Sequence, residues 1–179
     1  MIIEGLKVQL GSFGFYLINN SHPTIMNCII TFCNIPIQIN ADSDINLNTN
    51  EIIYNNLNKV VVNPVALRQS KVYTWSTSGV PLYINGEIGI YGNNPNDIPV
   101  LSIIEGTIVE SNASRFFVGT SDRKGGLLAD GVLFTAADTL TGWEGIRFNT
   151  QAQNDTNYTL LKNSTIEHAN SAVLCFNSA

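Results

Sequence analysis

The stretch Asn-Cys-Ile-Ile-Thr-Phe-Cys-Asn-Ile-Pro-Ile-Gln-Ile, residues 27–39, recurs in outline at residues 163–175 as Asn-Ser-Thr-Ile-Glu-His-Ala-Asn-Ser-Ala-Val-Leu-Cys. Aligned without a gap, both stretches follow the pattern Asn-x-x-Ile-x-x-x-Asn-x-x-(Ile/Val). A looser copy at residues 50–62 starts about 22 residues after the first, inside the window of 20–50 residues that marks repeat architectures. The self-similarity therefore predicts a solenoid, in which each copy forms part of one coil.

Four asparagines, Asn27, Asn34, Asn163 and Asn170, occupy the fixed polar positions of this pattern. Asn tolerates the left-handed backbone conformation and its side chain bonds locally, so we expect these residues at the bends between strands. Stacked amides can also bond from one coil to the next, about 4.8 Å away. This role explains why the chain has 23 Asn beside 21 Ile, the Ile being the residues that line the core.

Outside these copies, the sequence consists of short β-rich runs bounded by Asn, Gly, Asp, Ser or Pro. Few windows show the spacing of an amphipathic helix. These runs indicate an all-β fold and by themselves leave sandwich, barrel and solenoid open. The repeat decides for the solenoid, because a sandwich does not require Asn at the same phase of distant segments.

The Asn-bounded segments resemble rungs of right-handed parallel β-helices of the pectin-lyase-like class. Residues 80–169 are similar, more specifically, to a module of bacterial secreted and cell-surface β-helix proteins. The matching pieces are residues 80–84, 101–107, 117–119, 126–137, 142–148 and 163–168. We therefore expect a parallel β-helix of about seven or eight coils that forms a single domain over residues 1–179, and the resemblance implies that it is right-handed. It also implies an extracellular or cell-surface location.

Composition excludes several classes of function. Charged residues make up only 13% of the chain and the net charge is -5, which argues against nucleic acid, whose binding needs clustered Lys and Arg. No apolar run approaches the ~20 residues that span a bilayer, and the first residues lack the pattern of a signal peptide. Neither end shows a polar cap, which solenoids need, so we expect a segment of a longer chain or ends covered by neighbours.

Candidate chemical groups are sparse. Cys175 is predicted to lie about 30 Å from Cys28 and Cys33, beyond disulfide reach, so three unpaired thiols are expected, with Cys28 and Cys175 as small core residues. Residues 42–51 begin like a calcium loop but lack its glycine and its bidentate glutamate, and are interpreted as a polar turn. The sequence predicts no metal site, no cofactor and no catalytic residue.

Aromatic residues near turns are the candidate ligand-binding groups: Trp75, Tyr83, Tyr91 and Trp143. Proteins often hold sugars on exposed aromatic faces, which requires at least one Trp to be more than a third exposed. The alternative interpretation is that Trp143 packs over a coil edge. For catalysis, the carboxylate pairs Asp42 with Asp44 and Asp130 with Asp138 would need to lie about 5 to 9.5 Å apart beside a cation.

These observations predict a non-catalytic surface or secreted scaffold for adhesion, glycan contact or matrix assembly, with a polysaccharide or cell-surface glycan as partner. One alternative is a lyase or hydrolase acting on polysaccharide on the same fold. A second alternative is a subunit that self-associates through its open coil ends, where strand edges lack partners.

Overall fold

The computed structural model describes residues 1–18, 21, 23–152 and 158–176. These residues form 21 β-strands and no α-helix, hence no helix long and apolar enough to cross a membrane. In chain order the strands are β1 (Ile2–Glu4), β2 (Lys7–Gln9), β3 (Phe13–Leu17), β4 (Thr24–Met26), β5 (Ile29–Thr31), β6 (Ile35–Asn40), β7 (Ile45–Asn46), β8 (Glu51–Ile53), β9 (Val60–Asn63), β10 (Val72–Ser76), β11 (Leu82–Ile84), β12 (Ile88–Ile90), β13 (Val100–Ile103), β14 (Ile108–Ser111), β15 (Arg115–Val118), β16 (Gly126–Asp130), β17 (Leu133–Ala136), β18 (Gly145–Phe148), β19 (Leu160–Lys162), β20 (Thr165–Ile166) and β21 (Val173–Cys175).

Every strand pairs in parallel with a strand of the next coil, so the chain is a β-solenoid, as the repeat predicts. Sheet I, the longest, has the order β20-β17-β14-β11-β9-β6-β3, and sheet II the order β19-β16-β13-β10-β7. Sheet III consists of β2, β5 and β8, and sheet IV of β12, β15, β18 and β21. Strands β1 and β4 form a separate pair.

The solenoid has about six turns, fewer than the seven or eight predicted. The difference arises because the coils lengthen along the chain. Phe13 pairs with Ile35, which gives a first coil of the length that the sequence repeat predicts. Leu133 pairs with Thr165, which makes that later coil nearly half as long again. If all coils were as short as the first, the chain would form more turns than it does.

The cross-section of the solenoid changes near residue 65. Sheet III ends at β8, and sheet IV is preceded by a parallel bridge between Leu67 and Ile90. The first coils therefore have sheet III on one side and sheet I on another, and their third side is formed by the β1–β4 pair or by sheet II. The later coils are built from sheets II, I and IV. This change gives the two halves of the molecule different outer faces.

Bends between strands hold residues with positive φ. Asn27 has φ 54° and Asn163 has φ 50°, and each lies directly between two strands. At the second bend of the same segments the positive φ belongs to Phe32 (56°) and His168 (55°), two residues before Asn34 and Asn170. Asn27 precedes a strand of sheet III and Asn163 a strand of sheet I, so the two distant copies lie at different positions around the coil, and the expectation of Asn at the same phase is wrong for this pair.

Amide side chains connect neighbouring coils, as their abundance suggests. The Nδ2 of Asn56 donates to Oδ1 of Asn34 at 2.6 Å. Other amides bind backbone groups at bends: Oδ1 of Asn55 accepts from the N–H of Cys33 at 2.9 Å, and its Nδ2 donates to the carbonyl of Ile30 at 3.0 Å. These side chains supply the hydrogen bonds that backbone groups lack where a strand ends.

The core is a stack of aliphatic residues with an aromatic cluster in its later half. Val60, Leu82 and Val109 lie in register on sheet I and are each at most 1% exposed. Trp75 is 0% exposed and Trp143 is 1% exposed. The expectation of an exposed tryptophan is therefore wrong.

The tryptophans are buried because they face other aromatic rings inside the solenoid. Trp143 stacks on Phe134 with ring centroids 6.4 Å apart, and Trp75 meets Phe116 edge-on. Both indole N–H groups donate to backbone carbonyls, of Ala41 and Glu167, so the rings can be buried without an unpaired donor. The Gly and Thr residues that flank the two tryptophans in the sequence do not predict this burial.

All three cysteines are unpaired, as the distance argument predicts. Cys28 and Cys33 are buried, but Cys175 is exposed, which corrects its expected place in the core. Cys175 lies in β21, the outermost strand of sheet IV among the described residues, and no described coil covers its inward side.

Candidate binding groove

A groove of about 440 Å³ runs over the outer face of sheet IV. The register of this sheet sets its floor, because Gly89, Phe117 and Arg147 lie opposite one another on successive strands. Phe116 and Val118, the strand neighbours of Phe117, are buried, so Phe117 points outward. The groove is lined by Glu87, Arg115, Phe117, Thr120, Ser121, Arg147, Asn149, Thr150 and Phe176.

Two aromatic rings form a platform at one end of the groove. The rings of Tyr91 and Phe117 stack with centroids 5.3 Å apart and planes 23° apart. They cross over Gly89, where a Cβ atom would lie 2.5 Å from Tyr91 and 2.8 Å from Phe117. The guanidinium of Arg68 lies 4.5 Å from the centre of the Tyr91 ring and donates to its hydroxyl at 2.7 Å. Glycine at position 89 is thus required for the rings to approach the sheet.

Arginine side chains lie in the middle of the groove and are held differently. Arg115 is bound by carboxylates on both sides, those of Glu87 and Glu144. Arg147 donates from Nε to Asn149 at 2.8 Å, and its guanidinium lies 4.2 Å from the centre of the Phe176 ring. Among the described residues no carboxylate forms an ion pair with Arg147, so its remaining N–H groups are available to a ligand.

Hydroxyl and amide groups complete the walls of the groove. Thr120, Ser121, Asn149 and Thr150 line it, and Asn149 is fixed by donating to the carbonyl of Gly119 at 2.7 Å. Glu87 is the one carboxylate among the described lining residues, and it is paired with Arg115. The groove therefore offers donors, acceptors and an aromatic face, without the paired carboxylates of a glycoside hydrolase.

The four aromatic residues proposed from the sequence do not converge. Tyr91 packs against the groove residue Phe117, whereas Tyr83 lies on the outer face of sheet I beneath Lys59. Trp75 and Trp143 lie in the core. Of the four structural asparagines, Asn170 lines a smaller cavity of about 190 Å³ that shares Arg115 and Arg147 with the groove.

Sequence reasoning missed Phe117 and both arginines of the groove. Phe117 and Arg147 are in register although a whole coil of chain separates them. The sequence does not display this pairing, because the loops between strands differ in length from coil to coil. The usable signal was the outward position that each occupies between two apolar residues, in Phe-Phe-Val at 116–118 and Ile-Arg-Phe at 146–148.

Three of the four candidate catalytic carboxylates are engaged elsewhere, and Oδ1 of the fourth, Asp42, is buried without a hydrogen-bond partner among the described residues. Asp44 accepts from the N–H of Thr74 at 2.9 Å and pairs with Lys71 at 3.6 Å. Asp130, on β16, binds Lys162, and three strand spacings of about 14 Å in total separate β16 from β7, which follows Asp44. Asp138 accepts from the N–H of Leu140 within its own turn. The described contacts bring no carboxylate pair to the groove.

The polar turn that begins like a calcium loop braces two coils. Asn48 donates from Nδ2 to the hydroxyl of Ser76 at 2.7 Å, and Asn50 donates to the carbonyl of Ile25 at 2.8 Å. Next to this turn lies Tyr73, whose pKa is raised by burial, with smaller contributions from Asp42 and Asp44. These side chains stabilise the stacking of coils, and none of them lines the groove.

No protein-family model, curated protein or solved structure matches this chain. The geometry of the groove is therefore the basis for a functional assignment.

Proposed function

We propose that this chain is a non-catalytic scaffold whose parallel β-solenoid contacts a polysaccharide through the groove on sheet IV. The observation that carries the proposal is the convergence of the Phe117 ring and the Arg147 guanidinium on one groove with hydroxyl and amide walls. Sugar rings present apolar C–H faces and a rim of hydroxyls, and this groove offers a partner for both.

The aromatic face supplies the apolar contact. Phe117 is half-buried and its ring stacks on Tyr91, so it loses little conformational freedom when a ligand binds. A fixed aromatic side chain provides contact area at a low entropic cost. The direction of the groove across successive coils suits an extended chain of sugars.

Polar groups of the groove would orient the bound sugar. Arg147 presents planar N–H donors that match pairs of hydroxyl or carboxylate oxygens, and Asn149 and Thr150 provide further donors and acceptors. Arg115, neutralised by two carboxylates, serves to hold the rim in place.

The rod-like stacking supports a structural role. Each coil packs on its neighbours through sheet I, whose seven strands run through the described length. Such a core resists bending and keeps outer faces at fixed positions. A right-handed helix of the pectin-lyase-like class, located at a bacterial surface or secreted, belongs to this proposal and rests on the sequence resemblance.

The two alternatives have weaker support. A polysaccharide-cleaving enzyme would need an acid and a base in the groove, and the described lining provides Glu87 alone, bound to Arg115. Self-association through coil ends is supported by exposed apolar side chains on outer strands, such as Ile2 on β1 and Leu174 on β21. Neither observation is specific for a ligand.

An array of immobilised neutral and uronate-containing polysaccharides tests the proposal. We expect the chain to bind at least one of them, and Phe117→Ala and Arg147→Ala each to weaken that binding about tenfold or more, a loss of about 1.4 kcal/mol. Tyr83→Ala removes an outward aromatic ring on sheet I and is expected to leave binding unchanged. A wild-type chain that binds none of the polysaccharides, or equal binding by the Phe117 and Tyr83 variants, would refute the proposal.

A further inference from the structure

The outer face of sheet III carries an ordered ladder of three exposed side chains. Lys7, Ile29 and Glu51 lie in register on β2, β5 and β8, one per coil. Their strand neighbours Val8, Ile30 and Ile52 face the core, so the ladder points outward. Ile29 is 38% exposed, and neither Lys7 nor Glu51 has an ion-pair partner among the described residues.

A second ladder of apolar side chains borders the same face. Leu10, Phe32 and Tyr54 directly follow the three strands and are 76%, 58% and 69% exposed. The rings of Phe32 and Tyr54 stack on each other with centroids 6.1 Å apart. Exposed apolar side chains gathered on one face of a soluble domain mark an interaction surface.

The backbone conformation at this border is unfavourable for the bulky apolar residues found there, which supports a role for them in an interface. Leu10, Phe32 and Tyr54 have φ of 63°, 56° and 56°, the left-handed region where a bulky side chain is unfavourable. Gly5 and Asn27, at the preceding bend of the first two coils, show the residue types that suit this conformation. Bulky apolar residues thus occupy positions where Asn or Gly would be both less strained and more soluble.

The charges of the first ladder, positive at Lys7 and negative at Glu51, are complementary to those of the same ladder in the reverse order. A second copy laid face to face on sheet III, with its coils running in the opposite direction, places its Glu51 over Lys7 and its Lys7 over Glu51. Ile29 then meets Ile29 of the second copy, and Phe32 meets Phe32. This is the arrangement of a two-fold axis that runs along the strands through the middle coil, in which the same patch serves both subunits.

We propose that sheet III and its border form the interface of an antiparallel homodimer of this chain. Copies with coils in the same direction would oppose Lys7 with Lys7 and Glu51 with Glu51, so the charges select the antiparallel arrangement. The interface lies on a different sheet from the groove and does not depend on the proposed function.

Sedimentation equilibrium of the whole chain and its variants tests this interface. We expect the wild-type chain to dimerise, and Lys7→Glu or Glu51→Lys, each of which opposes like charges, to weaken the dimer about tenfold or more. The double variant Lys7→Glu with Glu51→Lys restores opposite charges and is expected to restore the dimer. Phe32→Asn removes the central ring while suiting the backbone, and is expected to give a folded monomer. Glu105→Lys makes the same charge change at an exposed position after sheet II and serves as the control.

Each outcome decides for or against the interface. Dimer loss in the single charge variants and recovery in the double variant support it. A wild-type chain that stays monomeric up to about 1 mM overturns it, since that concentration covers the weak limit of specific association. Association that persists in Glu51→Lys and Phe32→Asn also overturns it and indicates contact elsewhere, for example at the coil ends. Binding of a polysaccharide that is lost in Phe32→Asn, with no dimer, shows a glycan site instead.

Discussion

The side-chain amide of Asn55 is expected to stabilise the fold far more than that of Asn56, its neighbour in sequence. Asn55 is 7% exposed and bonds three backbone groups, the N–H of Cys33 and the carbonyls of Ile30 and Ile53. Asn56 is exposed and its amide bonds one other side chain, that of Asn34. The variants Asn55→Ala and Asn56→Ala therefore remove the same atoms from two different environments.

The magnitude follows from the groups that Asn55→Ala leaves without partners. The N–H of Cys33, a residue that is 1% exposed, loses its acceptor, at a cost of about 1–3 kcal/mol for a buried unsatisfied group. The carbonyls lose a donor, which raises the total loss in the free energy of unfolding to about 2–4 kcal/mol. Asn56→Ala breaks an exposed hydrogen bond and is expected to cost less than about 1 kcal/mol.

Urea unfolding followed by far-ultraviolet circular dichroism measures both variants. With a denaturant slope of about 2 kcal/mol/M, Asn55→Ala should lower the midpoint by about 1–2 M and leave the slope unchanged. Asn50 makes the equivalent bonds one bend earlier, to the N–H of Cys28 and the carbonyl of Ile25, and Asn50→Ala should behave alike. If Asn55→Ala and Asn56→Ala were equally stable, amides would not brace the bends, and this reasoning would be wrong.

Two further predictions concern thiols and pH. A thiol reagent should modify only exposed Cys175 in the folded chain and all three cysteines in denaturant, as counted by absorbance of the released thiolate; rapid native reaction of Cys28 or Cys33 would contradict their burial. Burial raises the pKa of Tyr73, so its contribution to stability is complete below the unfolded value of about 10 and is lost as pH rises towards the folded pKa. Thermal unfolding across this range should show a smaller alkaline loss for Tyr73→Phe than for the wild type, and identical pH profiles would argue against the shift.

The fold could be predicted because its cause is local and periodic. Two copies one coil apart, at residues 27–39 and 50–62, contain the residues that pair in sheets I and III. In sheet III the looser copy stands one residue out of phase, since Glu51, rather than the residue after it, pairs with Ile29. Turn composition and β-rich runs give the rest of the architecture. The number of turns could not be read, because loop length varies freely at the surface of a solenoid.

The site could not be predicted because it depends on register between distant coils. Tyr91 was found by its residue type, but Phe117 and Arg147 meet through strand pairing between successive coils, which a single sequence does not display. Exposure of Trp75 was wrongly expected because flanking Gly and Thr suggest it, whereas side-chain direction decides it; Trp143 is packed, as its alternative interpretation holds. In a β-strand, one step in register moves a side chain from the surface to the core.

Nuclear Overhauser contacts between backbone protons in solution test the stacking of coils most directly. The solenoid predicts contacts of Tyr83 with both Val61 and Glu110, its in-register partners on neighbouring coils, with the pattern of parallel strands. Close Hα–Hα contacts between consecutive strands, such as β11 with β12, would instead show antiparallel hairpins and would contradict the parallel solenoid.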